Sequence, residues 1–469
     1  MPQTLAAMLP YIPPGLARAL LANPTLVPLV EQFPAAVLFA DISGFTPLTE
    51  ALAQRGAEGP EEMTRLLNAY FSRLIVAIEA EGGEVVKFSG DALTALFPAT
   101  AESAGHAVRR AVQAAAAMHA LMGDFATLPT SAGLIALAVK IGVGVGTVYA
   151  FRVGGVLERW EYMVAGDPLR QVAEAEHIAG PGETIISPEA AAVLASPTTP
   201  SVLPPRPLTA PQIAPDMNFR AATTALRGFM PGALRAWIGE GLPEWLAELR
   251  PMSLLFVGVS GLDYTAPDAR ERLQAFLTAS QEVIYRYEGS LNKLAVDDKG
   301  TILLAMFGAP PLAHADDAAR ATRAARDLLV MAEPQGLAMA IGVATGPVFG
   351  GPVGSTNRRE YTVMGDAVNS AARLMAAAGP GDIRCDFATA HDARRVLAFD
   401  TLPPVRLKGK AGLVQVYRPT GLAQPQEQVD TTLVGRHAEL ARLKAALDDV
   451  QAGRQRLLLI EGEAGMGKS

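Results

Sequence analysis

The chain is 469 residues long, half of them hydrophobic and 19% charged, with a net charge of −7. That length predicts two or three domains, each with its own core, and the acidic balance gives no electrostatic reason to expect nucleic acid or an anionic membrane as a partner. The single cysteine, Cys385, excludes an intramolecular disulfide and a multi-cysteine zinc site, and the six histidines show no HExxH spacing.

Residues 1–33 alternate short apolar stretches with Pro10, Pro13, Pro14 and Pro24, so they read as a lead-in packed on the first domain and not as a signal helix. The apolar run 36–40 ends at Asp41 and predicts a buried strand. Over 61–80, Met63, Leu66, Leu67, Tyr70, Leu74 and Ile78 recur at helical spacing and predict an amphipathic helix. Segments 84–89 and 92–97 flank Gly90-Asp91 and predict a hairpin with that pair in its turn. An alanine-rich helix over 101–122 and a buried strand over 139–149 follow. The order strand, helix, hairpin, helix, strand predicts an α/β fold. It recurs as strand 254–259, helix 269–287, a hairpin turning at 297–300, helix 314–331 and strand 338–343. Seven prolines within 196–215 exclude a regular helix or central strand there and predict a linker or wrapping arm. No run of 18 or more uncharged apolar residues occurs. The nearest, 133–151, is interrupted by Lys140 and rich in glycine, and reads as buried strand. A cytoplasmic protein with no transmembrane segment is expected.

At the end of the chain, an apolar strand over 457–460 runs into GEAGMGKS, a P-loop containing Gly462, Gly467, Lys468 and Ser469. The sequence stops where the following helix should begin. The loop therefore reads as the start of a truncated ATPase domain, and the chain as the front end of a longer protein. The expected organisation is a lead-in (1–33), a first domain (34–195), a Pro-rich linker (196–250), a second domain (251–420) and the truncated P-loop region (430–469).

The two domains are unequal copies. LFADISGF (38–45) matches LFVGVSGL (255–262), and EYMVAGD (161–167) matches EYTVMGD (360–366). The offset is 217 between Phe39 and Phe256 and 199 between Tyr162 and Tyr361, which fits duplication with loop deletions. The first copy has the carboxylates Asp41 and Asp91; the second has Gly258 for the former and keeps only Asp297 for the latter. The second has Thr362, Asn369 and Arg373 where the first has Met163, Arg170 and Glu174. This division predicts one composite site.

Asp41 ends a buried strand and Asp91 sits in a turn that can lie beside it. Two carboxylates and a free backbone carbonyl suit Mg²⁺ or Mn²⁺, hard ions that keep positions open for phosphate; taken singly, each also fits a capping or turn aspartate. Lys293 and Thr362 offer a donor and an acceptor that match N1 and N6 of adenine, whereas guanine would ask for a carboxylate. A solvated lysine and a strand threonine are the plainer alternatives. Asn369 and Arg373 stand four apart on one helix face, fit to hold a ribose and stabilise a reacting phosphate, or simply to line an interface. Lys140, in an apolar strand, fits a triphosphate contact or a strand-edge lysine.

Together these residues resemble a class III nucleotidyl cyclase, in particular the soluble, bicarbonate-responsive type of adenylyl cyclase. The resemblance covers about residues 34–420 through FADISGFTPLTE (39–50), VVKFSGDALTALF (85–97), LNKLAVDDKG (291–300) and EYTVMGDAVNSAARL (360–374), with LAELRPMSLLF (246–256) at the entry to the second domain. It implies two cyclase domains, each a mixed sheet with flanking helices, paired as a pseudo-symmetric dimer within one chain. It further implies that Asp41, Asp91 and the Ile42 carbonyl bind two divalent cations, Mg²⁺ or Mn²⁺ with Ca²⁺ admissible at one site. Lys293 and Thr362 would read adenine, with Val363, Gly44 and Phe45 also in the substrate site. Asn369 would orient the ribose, Arg373 would stabilise the transition state and Lys140 would hold the terminal phosphates. The implied reaction converts ATP to 3′,5′-cyclic AMP and pyrophosphate. In such relatives a lysine and an arginine bind bicarbonate in the second, pseudo-symmetric pocket. Lys87 matches the lysine; the arginine's aligned position is Ala173, and Arg170 is the candidate substitute on the same helix. The competing expectations are a catalytically idle nucleotide or anion sensor regulating the ATPase region, and a guanylyl cyclase. The internal pairing predicts a monomer.

Overall fold

The computed structural model describes residues 2–44, 52, 58–99, 103–125, 127–131, 133–196, 201–214, 217–235, 248–297, 300–407, 412–423, 437–455 and 457. Helices α1 (Pro2–Met8) and α2 (Pro14–Ala22) lead into the first half. It comprises β1 (Leu29–Ser43), α3 (Glu58–Ala80), β2 (Glu84–Ser89), β3 (Ala92–Pro98), α4 (Ala104–Leu121), β4 (Leu128–Thr130), β5 (Gly133–Ile135), β6 (Ala138–Gly154), β7 (Trp160–Ala165), α5 (Asp167–Ile178), β8 (Thr184–Ile186) and α6 (Pro188–Leu194). After α7 (Phe219–Gly228) and α8 (Gly232–Arg235) the second half repeats the plan. It comprises β9 (Glu248–Ser260), α9 (Ala269–Arg286), β10 (Ser290–Asp297), β11 (Gly300–Phe307), α10 (Asp317–Ala332), β12 (Ala338–Gly354), β13 (Arg359–Met364), α11 (Asp366–Ala377), β14 (Ile383–Cys385) and α12 (Phe387–Ala393), then β15 (Leu397–Arg406) and β16 (Leu413–Leu422).

The first sheet runs β2-β3-β1-β6-β7 with β8 beside β6, and the second runs β10-β11-β9-β12-β14-β16-β15 with β13 beside β12. The β6–β8 and β12–β14 pairs are parallel while β1–β6 and β9–β12 are antiparallel, so both sheets are mixed. The expected α/β architecture with two paired copies is what the chain adopts.

The central strands are longer than their apolar runs predict because their ends serve the other half. Phe151, Val153, Met163 and Ala165, from β6 and β7, are buried with Leu273, Phe276 and Leu277 of α9. In return, Phe349, Val353 and Met364 from β12 and β13 are buried with the α3 core of the first half. Each half thus lends the tip of a hairpin to the other's hydrophobic interior, where apolar burial is worth roughly 25 cal/mol per Å².

The lead-in meets both halves: Arg18 of α2 pairs with Glu84 of β2 in the first at 3.0 Å. Leu5, Met8, Ile12, Leu16 and Leu20 share a core with α7 residues and with Met252, Leu254, Met306 and Val348 of the second sheet. A bare sheet face must be covered, and on this face of the second sheet α11 is joined by the N-terminal helices. The Pro-rich stretch has no regular structure over 201–214 but is fixed to the first half: Leu208 N donates to Glu79 O at 2.7 Å, Gln113 Nε2 to Leu203 O at 3.1 Å and Arg110 to Pro204 O at 3.1 Å.

Met1–Leu422 form one unit and Ala423–Ser469 another. In the latter, α13 spans His437–Gln451, and Arg454 pairs with Asp449 at 2.6 Å. The P-loop residues Gly462, Gly467, Lys468 and Ser469 lie outside the described residues. No helix among the described residues is long and apolar enough to cross a membrane.

A candidate active site between the two halves

One cavity of about 390 Å³ lies where the halves meet, lined from both. At its acidic end, Asp41 near the end of β1 stands opposite Lys140 of β6, with buried Ile42 next along the strand. Gly44 follows at φ +93°, and a Cβ there would lie 2.5 Å from the Ala136 carbonyl oxygen, so the strand exit requires glycine. Phe45 falls outside the described residues. Asp91 comes from the β2–β3 turn, which Gly90 makes possible at φ +71°.

Burial, then the charges of Asp41 and Glu176, push the Asp91 carboxyl up to about 8. Mutually repelling carboxylates in a dehydrated place are what a hard cation relieves, so the residues fit a divalent ion. No group of three or more His, Cys, Asp or Glu able to hold a metal occurs among the described residues. An ion here would therefore complete its shell with water and substrate oxygens. The Tyr70 hydroxyl of α3 is buried with no hydrogen-bond partner among the described residues, and burial followed by the charges of Asp41 and Asp91 raises its pKa well above the usual value.

At the other end, β2 and β10 each carry a lysine immediately after an irregularity in strand pairing, between Val85 and Lys87 and between Leu291 and Lys293. Such bulges re-aim side chains, and both lysines line the cavity with Thr362 and Val363. Lys293 is 8% and Thr362 1% exposed. Lys87 Nζ lies 3.2 Å from Glu360 Oε1, across the interface. Glu360 Oε2 accepts from Phe88 N at 3.2 Å and lies 3.6 Å from the Arg358 guanidinium. Arg358 itself reaches into the first half, donating to Val85 O at 2.8 Å and Val86 O at 3.2 Å with its guanidinium over the Phe88 ring. Burial lowers the Lys293 ammonium to about 8; Glu360 opposes that and Lys87 adds to it. Burial pushes the Glu360 carboxyl up, but Lys87, Lys293 and Arg358 outweigh it and hold it below the usual value.

Asn369 of α11 lines the same cavity. Arg373, one turn further along, is half-buried and has no ion pair among the described residues; it is not part of the cavity wall. Lys140 is held at 2.7 Å by Glu176 of α5, and it is Glu176 that lines the cavity. The Lys87–Arg170 pairing is not assembled. Arg170 lies on the exposed side of α5, bonded to Asp167 at 2.7 Å and Glu174 at 2.6 Å, while Ala173 faces the cavity. The reason is local: carboxylates three residues before and four after Arg170 satisfy its guanidinium on its own helix.

Sequence reasoning passed over Glu360, Arg358, Glu176 and Tyr70. A carboxylate inside a strand expected to be buried was the available signal for Glu360; the other three are recognisable only once their neighbours are known.

The family profile described as "Adenylate and Guanylate cyclase catalytic domain" matches residues 30–203 and 300–418. The chain is 27% identical over 501 aligned positions to adenylate cyclase type 10 of Oryctolagus cuniculus and 28% over 505 to that of Mus musculus; each alignment covers 94% of this chain and 30% of the relative. The chain thus spans about a third of the length of these curated relatives. Among solved structures, a class III adenylyl cyclase-like ATP-binding protein from Pseudomonas aeruginosa superposes with a TM-score of 0.55 at 17% identity, over 77% of this chain and 85% of that one, and shares the fold. With its two matched segments, its duplicated mixed sheets and its likeness to these relatives over 94% of its own length, the chain belongs to the family of adenylate and guanylate cyclase catalytic domains.

Proposed function

We propose that the chain is an adenylyl cyclase that converts ATP to 3′,5′-cyclic AMP and pyrophosphate in the cavity between its halves. The observation that carries this reading is the convergence of Asp41 and Asp91 from one half with Lys293, Thr362 and Asn369 from the other. Relatives named adenylate cyclase over 94% of the chain support it.

Asp41, Asp91 and the Ile42 carbonyl would hold two divalent ions, Mg²⁺ or Mn²⁺ with Ca²⁺ admissible at one site. When bound, these supply charge neutralisation on the phosphates and a lower pKa for the ribose 3′-hydroxyl. Lys293 donates to adenine N1 and Thr362 accepts from N6, with Val363 closing that end. Asn369 orients the ribose. Lys140, exchanging Glu176 for the terminal phosphates, and Gly44 at the strand exit hold the triphosphate. The 3′-hydroxyl gives its proton to water, its oxygen attacks the α-phosphorus in line, the bond to the bridging oxygen breaks, and pyrophosphate leaves with that bond's electron pair. Arg373 swings in to stabilise charge on the reacting phosphate. The composite site lies within one chain, so the active species is a monomer.

The test is cyclic AMP formation by residues 1–469 from Mg²⁺- or Mn²⁺-ATP, with Asp41→Asn as the blank, at clamped pH with and without bicarbonate. Activity lost in the blank supports the reading. No activity over the blank, from folded protein that still binds ATP, would make the chain a nucleotide sensor instead. Because Lys87 is paired with Glu360 and Arg170 faces outward, bicarbonate is expected to leave the rate unchanged; stimulation would mean an anion site formed by other residues.

A further inference from the structure

Glu360 takes no part in the reaction as described, yet it joins the two halves at the base end of the cavity. It is contributed by β13, two residues before Thr362, so both side chains project from the same face of the strand. Its carboxylate takes Lys87 at 3.2 Å, the Phe88 amide at 3.2 Å and Arg358 at 3.6 Å. The two lysines occupy matching places after matching bulges, one in each half. We propose that Glu360 is a positioning residue for Lys293 and that Lys87, its counterpart in the first half, competes for the same carboxylate. The proposal rests on the reading of Lys293 as the adenine-binding lysine.

Negative charge is in short supply around these lysines. One carboxylate faces two lysines and Arg358, in a setting where a buried charge is costly unless compensated. Glu161 of β7 also faces Lys87 and Glu360, but it is paired with Arg159 at 2.6 Å and is further balanced by Arg235. Lys293 gains attraction from Glu360 and repulsion from Lys87. Whatever draws Lys87 away from Glu360, or removes its charge, therefore leaves more of that carboxylate for Lys293. A change at Lys87 would thus reach the base-reading lysine through one side chain.

The experiment measures kcat and KM for Mn²⁺-ATP across the alkaline range in the full chain and in Glu360→Gln, Lys87→Met and Lys293→Met. In the parent, kcat/KM should fall as Lys293 loses its proton, near the value of about 8 that its surroundings impose. Glu360→Gln should move that limb down by about one pH unit and Lys87→Met should move it up by about half a unit or more, each acting mainly on KM. Opposite shifts are the expected result, since a merely structural role would move both variants the same way. Limbs that stay put or move together, while Lys293→Met raises KM, would overturn the positioning proposal alone. If Lys293→Met leaves KM for ATP unchanged, the base-reading assignment fails and takes this proposal with it. Should Glu360→Gln not fold, the upward shift in Lys87→Met decides the matter, and its absence overturns the proposal.

Discussion

Asn68 in the first half and Gln274 in the second make the same grip in opposite directions. Asn68 Oδ1 accepts from Gly354 N at 3.0 Å, and Gln274 Oε1 accepts from Gly154 N at 2.9 Å while its Nε2 donates to Gly154 O at 2.7 Å. Each clasps the end of the long strand that the other half extends. Truncating either leaves backbone groups unpaired at a closed interface, at a cost of about 1–2 kcal/mol. The two sites share no partner, so Asn68→Ala and Gln274→Ala should add in the double variant. Denaturant melts of the single and double variants check this.

Asp91 predicts an inverted response to pH. Its carboxyl keeps its proton up to about 8 in the folded chain, against 3.8 ordinarily. The folded state therefore binds more protons between those values, and metal-free stability should decline as pH rises through that window. Asp91→Asn should flatten the decline, melt higher than the parent at about pH 8, and lose cyclase activity. Mg²⁺ or Mn²⁺ should raise the melting temperature of the parent and not of the variant. Thermal melts at several pH values, with and without metal, test all three.

The two arginines on corresponding helices should behave differently. Arg373→Ala is expected to lower kcat on the order of a hundredfold with nucleotide binding kept. Arg170→Ala, which removes an exposed helix-surface pair, should leave the rate within about twofold and stability within about 0.5 kcal/mol. Steady-state kinetics on the two variants suffice.

Base preference is the fourth expectation. Lys293→Glu with Thr362→Cys should shift the ATP-to-GTP ratio of kcat/KM towards GTP by about tenfold or more. The new carboxylate would sit close to Glu360, so the switch should be larger with Glu360→Gln added. A ratio that does not move in either background would undercut the assignment of Lys293 and Thr362.

The convergence of Asp41, Asp91, Lys293, Thr362 and Asn369 on one cavity was legible in the sequence because a strand end and a turn placed the aspartates, strand pattern placed the lysine and threonine, and a helix face placed Asn369. The repeat then told which half supplied which group. What it could not supply were partners across the interface. Nothing local distinguishes a lysine that is free for an anion from Lys87, held by a glutamate 273 positions later in the chain. Arg170 misled for the opposite reason: spacing put it on the correct helix, but neighbouring Asp167 and Glu174 fixed its direction. The lead-in meets both halves, Arg18 pairing with Glu84 of the first at 3.0 Å while Leu5 and Met8 share a core with the second sheet, because apolar residues announce burial without naming every surface that buries them.

Those opening helices carry a consequence for how the molecule comes into being. Leu5, Met8 and Leu16 share a core with residues of α7, β9, β11 and β12. A ribosome would have to deliver more than two hundred further residues before they could settle, which makes their closure a late, long-range event. Trimming the chain to begin at residue 34 would leave the far sheet uncovered and sticky.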